Sequence, residues 1–101
     1  MPHYNAPLRD MRFVLFELLD AGTQLRAMPA FAEVDDDTVL AVLEESGRFA
    51  AEVVLPLNAV GDQQGCTFHG DGVVTTPDGF KQAYRQYVDA GWPSLACDTR
   101  F

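Results

Sequence analysis

Three consecutive carboxylates, Asp35, Asp36 and Asp37, with Glu44 and Glu45 a few residues on, form a dense cluster of hard oxygen ligands. Calcium takes such oxygens. An EF-hand loop opening at Asp35, however, needs glycine at its sixth position, where Leu40 stands, and would draw its later ligands from what reads as a helix face. The spacing predicts helix capping instead, because carboxylates placed before a helix accept from its free N–H groups and complement its dipole.

Cys66, His69, Cys97 and His3 are the chain's soft and borderline ligands, and thiolate with imidazole suits zinc. Their separations match neither a ribbon nor a finger: Cys66 is three residues from His69, Cys97 stands alone and His3 lies near the terminus. Cys97 reads as a small buried apolar group. Gly70-Asp71-Gly72-Val73 has the glycines of a phosphate loop but no strong strand before it and no helix opening on it, so a tight turn is expected. Nucleophilic catalysis needs Ser, Cys or Thr beside a base and an orienting acid. Ser46 sits on an apolar helix face and Ser94 follows a proline, neither in a strand-to-helix elbow. Tyr84 and Tyr87 read as packed core rings. No catalytic, cofactor-binding or metal-binding residue is assigned from these patterns.

The elements that carry these residues are helical. Leu8, Met11, Leu15 and Leu18 recur at helical spacing, with Asn5 as the expected cap, Pro7 near the first turn and Gly22 as the expected stop. Phe13 and Phe16 widen the apolar arc beyond one stripe. Thr23 to Met28 allows one further turn before Pro29-Ala30-Phe31 breaks it. From the aspartate run, Val39, Leu43, Ser46, Ala50, Val53, Leu57 and Val60 mark one face of a long helix, expected to kink near Glu52 because of Pro56 and to end at Gly61. Thr67-Phe68-His69 and Val73-Val74-Thr75 flank the glycine turn as a small hairpin. Thr76 then reads as a cap with Pro77 in the first turn of a last helix, whose face is Phe80, Ala83, Tyr84, Tyr87 and Val88 and whose end is Gly91. The fold class predicted is mainly all-α: three main helices, a short helical turn and a small β-hairpin.

At 101 residues, with 48% hydrophobic and 11% aromatic content, the chain has apolar surface enough for a modest core. Fifteen acids against seven bases give a net charge of −8 and a pI near 4.4. Such a field repels phosphate backbones, which argues against nucleic acid as a partner. Two cysteines do not make a disulfide framework, Met1-Pro2-His3-Tyr4 is no secretion signal, and no apolar run approaches the ~20 residues of a membrane span. A reducing, cytoplasmic setting is expected.

Met1 to Asp20, MPHYNAPLRDMRFVLFELLD, carries the pattern Tyr4-x-x-Pro7-Leu8-x-Asp10-Met11-x-Phe13. After it come Pro56 within the long helix, Asp62 and Gly65, Val73-Val74-Thr75, Pro77-x-Gly79-Phe80 and Gly91-Trp92-x-x-Leu95-Ala96. Over essentially all 101 residues this order resembles the acyl-CoA dehydrogenases, in the bacterial branch that includes 3-methylmercaptopropionyl-CoA dehydrogenase-like enzymes. The resemblance implies that residues 1–34 are an N-terminal extension helix and linker, and that 35–101 are part of the N-terminal helical domain, with a Gly-Gly-x-Gly motif due just past Phe101. For the complete enzyme it implies FAD, α,β-dehydrogenation of an acyl-CoA thioester, and a carboxylate base outside these residues. It further implies a middle β-domain and a C-terminal helical domain as partners, and a homo-oligomer. No cofactor is expected on these residues alone, and a free-standing helical interaction module is the competing expectation.

Overall fold

The chain enters its first helix, α1 (Leu8–Arg12), through Pro7, whose carbonyl accepts from the Met11 N–H at 2.9 Å. A computed structural model describes residues 3–100, and the sequence expectations that touch Met1, Pro2 and Phe101 lie outside the described residues. The expected Asn5 cap is not made, since Pro7 holds the capping position and no side chain bonds there. α1 passes into a π-helical stretch, Phe13–Leu18, closed by the Leu19 N–H on the Val14 carbonyl five residues back, at 2.9 Å. Asp20 then adopts a left-handed backbone, φ 49°, which a short polar side chain tolerates better than most. α2 (Ala21–Arg26) follows at once. The helix expected to stop at Gly22 is therefore broken at Asp20, and Gly22 lies buried inside α2. A Cβ on Gly22 would stand 2.5 Å from Asp36 Oδ1, so the glycine serves close approach and not termination.

Pro29–Phe31 forms a 3₁₀ turn in the expected linker. Asp35 caps α3 (Asp36–Phe49), its carboxylate accepting from the Thr38 N–H at 2.7 Å. Asp36 accepts from Arg26 at 2.9 Å, which ties α2 to the start of α3; both partners are half-exposed, so the pair contributes at most ~1 kcal/mol. The bond from Thr38 holds the Asp35 carboxyl below its ordinary value. With the folded-state value depressed, the contribution is present above the unfolded value and is lost as pH falls through the folded one. Circular dichroism should thus show a component of helix loss below about pH 4. Asp35→Asn, which keeps the cap without the charge, is expected to delete that component and retain the neutral-pH helix; Asp35→Ala should lose both.

α3 continues through a second π-helical stretch, Ala50–Val54, into α4 (Pro56–Gln64). The irregularity falls where Pro56, lacking an N–H, cannot serve the Glu52 carbonyl, and a wider turn absorbs the mismatch. α4 runs to Gln64 and not to the expected Gly61. It ends at Gly65, φ 61°, whose N–H closes on the Gly61 carbonyl at 2.9 Å. The chain forms two compact units, divided between Glu52 and Val53. In the first, α1 packs on α3 beside Gly47, where an added Cβ would meet the Ala6 Cβ at 2.9 Å.

In the second unit, β1 (Thr67–Phe68) pairs antiparallel with β2 (Val74–Thr75), Thr67 opposite Thr75 and Phe68 opposite Val74. Gly70, Asp71 and Gly72 all take positive φ, 84°, 54° and 76°, a run that needs glycine at its ends. α5 (Phe80–Asp89) starts after Gly79, not at the expected Thr76-Pro77. Pro77 is buried, and Asp78 is held in a reciprocal pair: its N–H donates to Gln64 Oε1 at 3.0 Å and its carboxylate accepts from Gln64 Nε2 at 3.2 Å. The helix opens only after Gly79, whose φ of 86° is left-handed. Gln64→Ala is expected to cost the unit about 1 kcal/mol, and Gln64→Glu more, since it sets a carboxylate against Asp78; urea midpoints measure both. The Gly91 end is as expected, with its N–H on the Val88 carbonyl at 3.0 Å.

The mainly helical class with one small hairpin is borne out. The depth of the core is not. Among the described residues only Gly22, Pro77 and Ala83 are buried, and the Val39, Leu43 and Leu57 face is half-buried.

Candidate interaction surface

At about 100° per residue, α5 places Ala83, Tyr87, Phe80, Tyr84 and Val88 in one arc of ~140°. One edge of this arc is covered. Ala83 is buried and Phe80 half-buried, its ring lying where a Cβ on Gly61 of α4 would come within 2.8 Å. The other edge is open: Tyr84 is 67% exposed and Val88 45%. The Tyr84 and Tyr87 rings lie 6.2 Å apart at 37°. Their expected role as core rings is corrected, because the arc is wider than the packing against α4 can cover.

Lys81 and Arg85 come next around the helix, one turn apart, bordering the exposed edge. With Thr76, Phe80, Tyr84 and Val88 they line an open groove of ≈ 550 Å³. Among the described residues neither base is in an ion pair. The sequence signal for this site was a basic i, i+4 pair flanking an apolar i, i+4, i+8 ridge, a pattern masked by the overall acidity.

The other candidates do not converge. Among the described residues no three His, Cys, Asp or Glu side chains are grouped to hold a metal ion. Cys66 and Cys97 are both exposed. Cys97, expected to be buried, follows the 3₁₀ turn Trp92–Ser94 at the surface, with its sulfur 3.9 Å from the Pro93 carbonyl. His69 Nε2 lies 2.7 Å from Thr75 Oγ1 across the hairpin. Ser46 and Ser94 donate to the carbonyls of Leu43 and Gly91, at 2.8 and 2.9 Å, so both hydroxyls serve their own backbone. Glu45 pairs with Arg48 at 3.1 Å. The Gly70–Gly72 turn bonds within its hairpin, His69 N–H to Val73 and Val73 N–H to Gly70, so it is no pyrophosphate cradle.

The chain is 42% identical over 93 residues, 92% of its length, to a 3-methylmercaptopropionyl-CoA dehydrogenase of Ruegeria pomeroyi. The match supports reading the chain as a fragment of the acyl-CoA dehydrogenase family. A second relative, the broad-specificity linear acyl-CoA dehydrogenase FadE5 of Mycobacterium tuberculosis, is 32% identical over 99 residues, 97% of the chain. The chain spans 16% of the length of each of these dehydrogenases. No family model matches it. Among the described residues no helix is long and apolar enough to cross a membrane.

Proposed function

We propose that these residues are the N-terminal helical segment of an FAD-dependent acyl-CoA dehydrogenase, a cytoplasmic homo-oligomer that desaturates an acyl-CoA thioester. Residues 1–34 are its extension helix and linker, and 35–101 the first part of its helical domain. The observation that carries this reading is identity of 42% across 92% of the chain to a dehydrogenase of which the chain spans 16%. The segment is structural and inactive alone. FAD, when bound to the complete enzyme, accepts the substrate hydride; the contribution of this chain is packing surface, consistent with its uncovered apolar faces.

Reading the gene past the Phe101 codon tests the proposal. Continuation into Gly-Gly-x-Gly, with a product that bleaches its flavin on adding acyl-CoA, is expected. A stop codon there, with a stable monomeric product, would leave a free-standing interaction module and overturn the proposal. The 101 residues alone are expected to show no stoichiometric FAD binding in a spectral titration, and a tight yellow complex would contradict the structural role.

A further inference from the structure

We propose that Asp71-Gly72, at the tip of the β1–β2 hairpin, is a site of spontaneous backbone isomerisation to isoaspartate, and that the fold protects the same dipeptide at Asp78-Gly79. The chain holds Asp-Gly at these two places. Sequence alone makes them equals: a glycine carries no side chain to hinder its nitrogen from closing a five-membered ring on the preceding carboxyl. The step balances with water as the one co-reactant. The Gly72 amide nitrogen bonds to Asp71 Cγ, a carboxyl C–O bond breaks, and the amide hydrogen leaves with that hydroxyl as water. Water then adds to the succinimide. Opening at the ring carbonyl that was the main-chain carbonyl of Asp71 leaves the chain running through Cβ and Cγ, one carbon longer, with the α-carboxylate as a side group.

The structure separates the two sites. Asp71 is exposed, with φ 54°, between two glycines that also take positive φ. A side chain in that region is strained, and rerouting the backbone through Cβ releases the strain. A Cβ on Gly72 would meet nothing within 4 Å, and among the described residues neither the Asp71 carboxylate nor the Gly72 N–H has a partner. Asp78 is held at both ends, its carboxylate by Gln64 Nε2 at 3.2 Å and its N–H by Gln64 Oε1 at 3.0 Å. Gly79 lies against α4, where a Cβ would stand 3.1 Å from Leu57 Cδ2, and its carbonyl accepts from the Ala83 N–H at 2.9 Å as α5 begins. A main-chain bond bridges each dipeptide, Val73 N–H to Gly70 at 3.0 Å and Phe80 N–H to Pro77 at 3.3 Å, so the bridge does not discriminate. The grip on the carboxylate and the packing around the glycine do.

The test uses the protein expressed from its own gene, incubated folded at neutral pH for some weeks beside a sample unfolded in urea. Trypsin releases residues 49–81 as one peptide that carries both dipeptides. Electron-transfer fragmentation reports isoaspartate at each position by cleavage of its Cα–Cβ bond, and a protease that cuts before aspartate skips the isomerised residue. Isoaspartate is expected to accumulate roughly tenfold faster at 71 than at 78 in the folded protein, since the held Asp78 carboxylate is kept out of line with the Gly79 nitrogen. In urea the two positions should react at similar rates. Gln64→Ala should raise the rate at 78 several-fold and leave that at 71 unchanged, a shift that a liability of sequence alone would not show. The ratio in the unsubstituted protein needs no variant to fold. Equal rates at the two positions in the folded protein, a faster reaction at 78, or no isoaspartate at 71 where the urea sample forms it, overturns the proposal.

Discussion

Gly61→Leu is expected to unfold the second unit, with loss of the α5 helix signal at room temperature. Even a single Cβ at Gly61 comes within 2.8 Å of the Phe80 ring tip. For alanine, two effects nearly cancel: relief of a helix-interior glycine is worth about 1 kcal/mol, and the half-buried ring can swing by the few tenths of an ångström required. Leucine adds three more carbons and expels the ring from α4. Overpacking of this kind costs about 3 kcal/mol. A unit whose buried side chains are Pro77 and Ala83 has little reserve against that loss. Chemical denaturation followed by circular dichroism and Trp92 fluorescence gives the result. Phe80→Ala on the Gly61→Leu background should restore part of the stability, a coupling expected only of residues in contact. Gly61→Leu melting within a degree or so of the parent would refute the contact.

The isolated 101 residues are expected to self-associate. Few of their apolar side chains are buried among the described residues, and a standard interface takes about 800 Å² from each partner. Phe13, Leu18, Leu19, Tyr84 and Val88 are among the apolar side chains left open. Association should strengthen with salt, because screening relieves the repulsion between chains of net −8. Light scattering and sedimentation at rising ionic strength would follow it, together with binding of an apolar dye. Tyr84→Lys with Val88→Lys should weaken association without changing helix content. A monomer at every salt concentration that binds no dye would contradict the uncovered faces.

Periodicity and punctuation in the sequence were sufficient for the helical class, the Asp35 cap, the hairpin around Gly70–Gly72 and the Gly91 terminus; near Glu52 they mark a kink, where the structure has the π-helical stretch Ala50–Val54. Each depends on interactions within a few residues, which a single stretch of chain encodes: a carboxylate three residues from an N–H, a missing donor at Pro56, glycines at the ends of a positive-φ run. The family pattern from Tyr4 to Phe13 was legible for a different reason, as residue identities in order. The candidate surface was legible by half, since the apolar face of α5 was marked but not which edge of it stays open.

Tertiary structure decided the rest. Gly22 and Gly61 look like helix stops in sequence, yet they lie inside α2 and α4, where the Asp36 carboxylate in one case and the Phe80 ring in the other approach the space a Cβ would take. Thr76-Pro77 reads as a helix start, but Asp78 pairs with Gln64, fourteen residues away, and α5 opens only after the left-handed Gly79. Tyr84 and Cys97 read as interior and lie at the surface. A local pattern records that a side chain is apolar or that a Cβ is missing. What meets that side chain, or fills the space of that Cβ, is set by residues distant in sequence, and so appears only when the elements are packed.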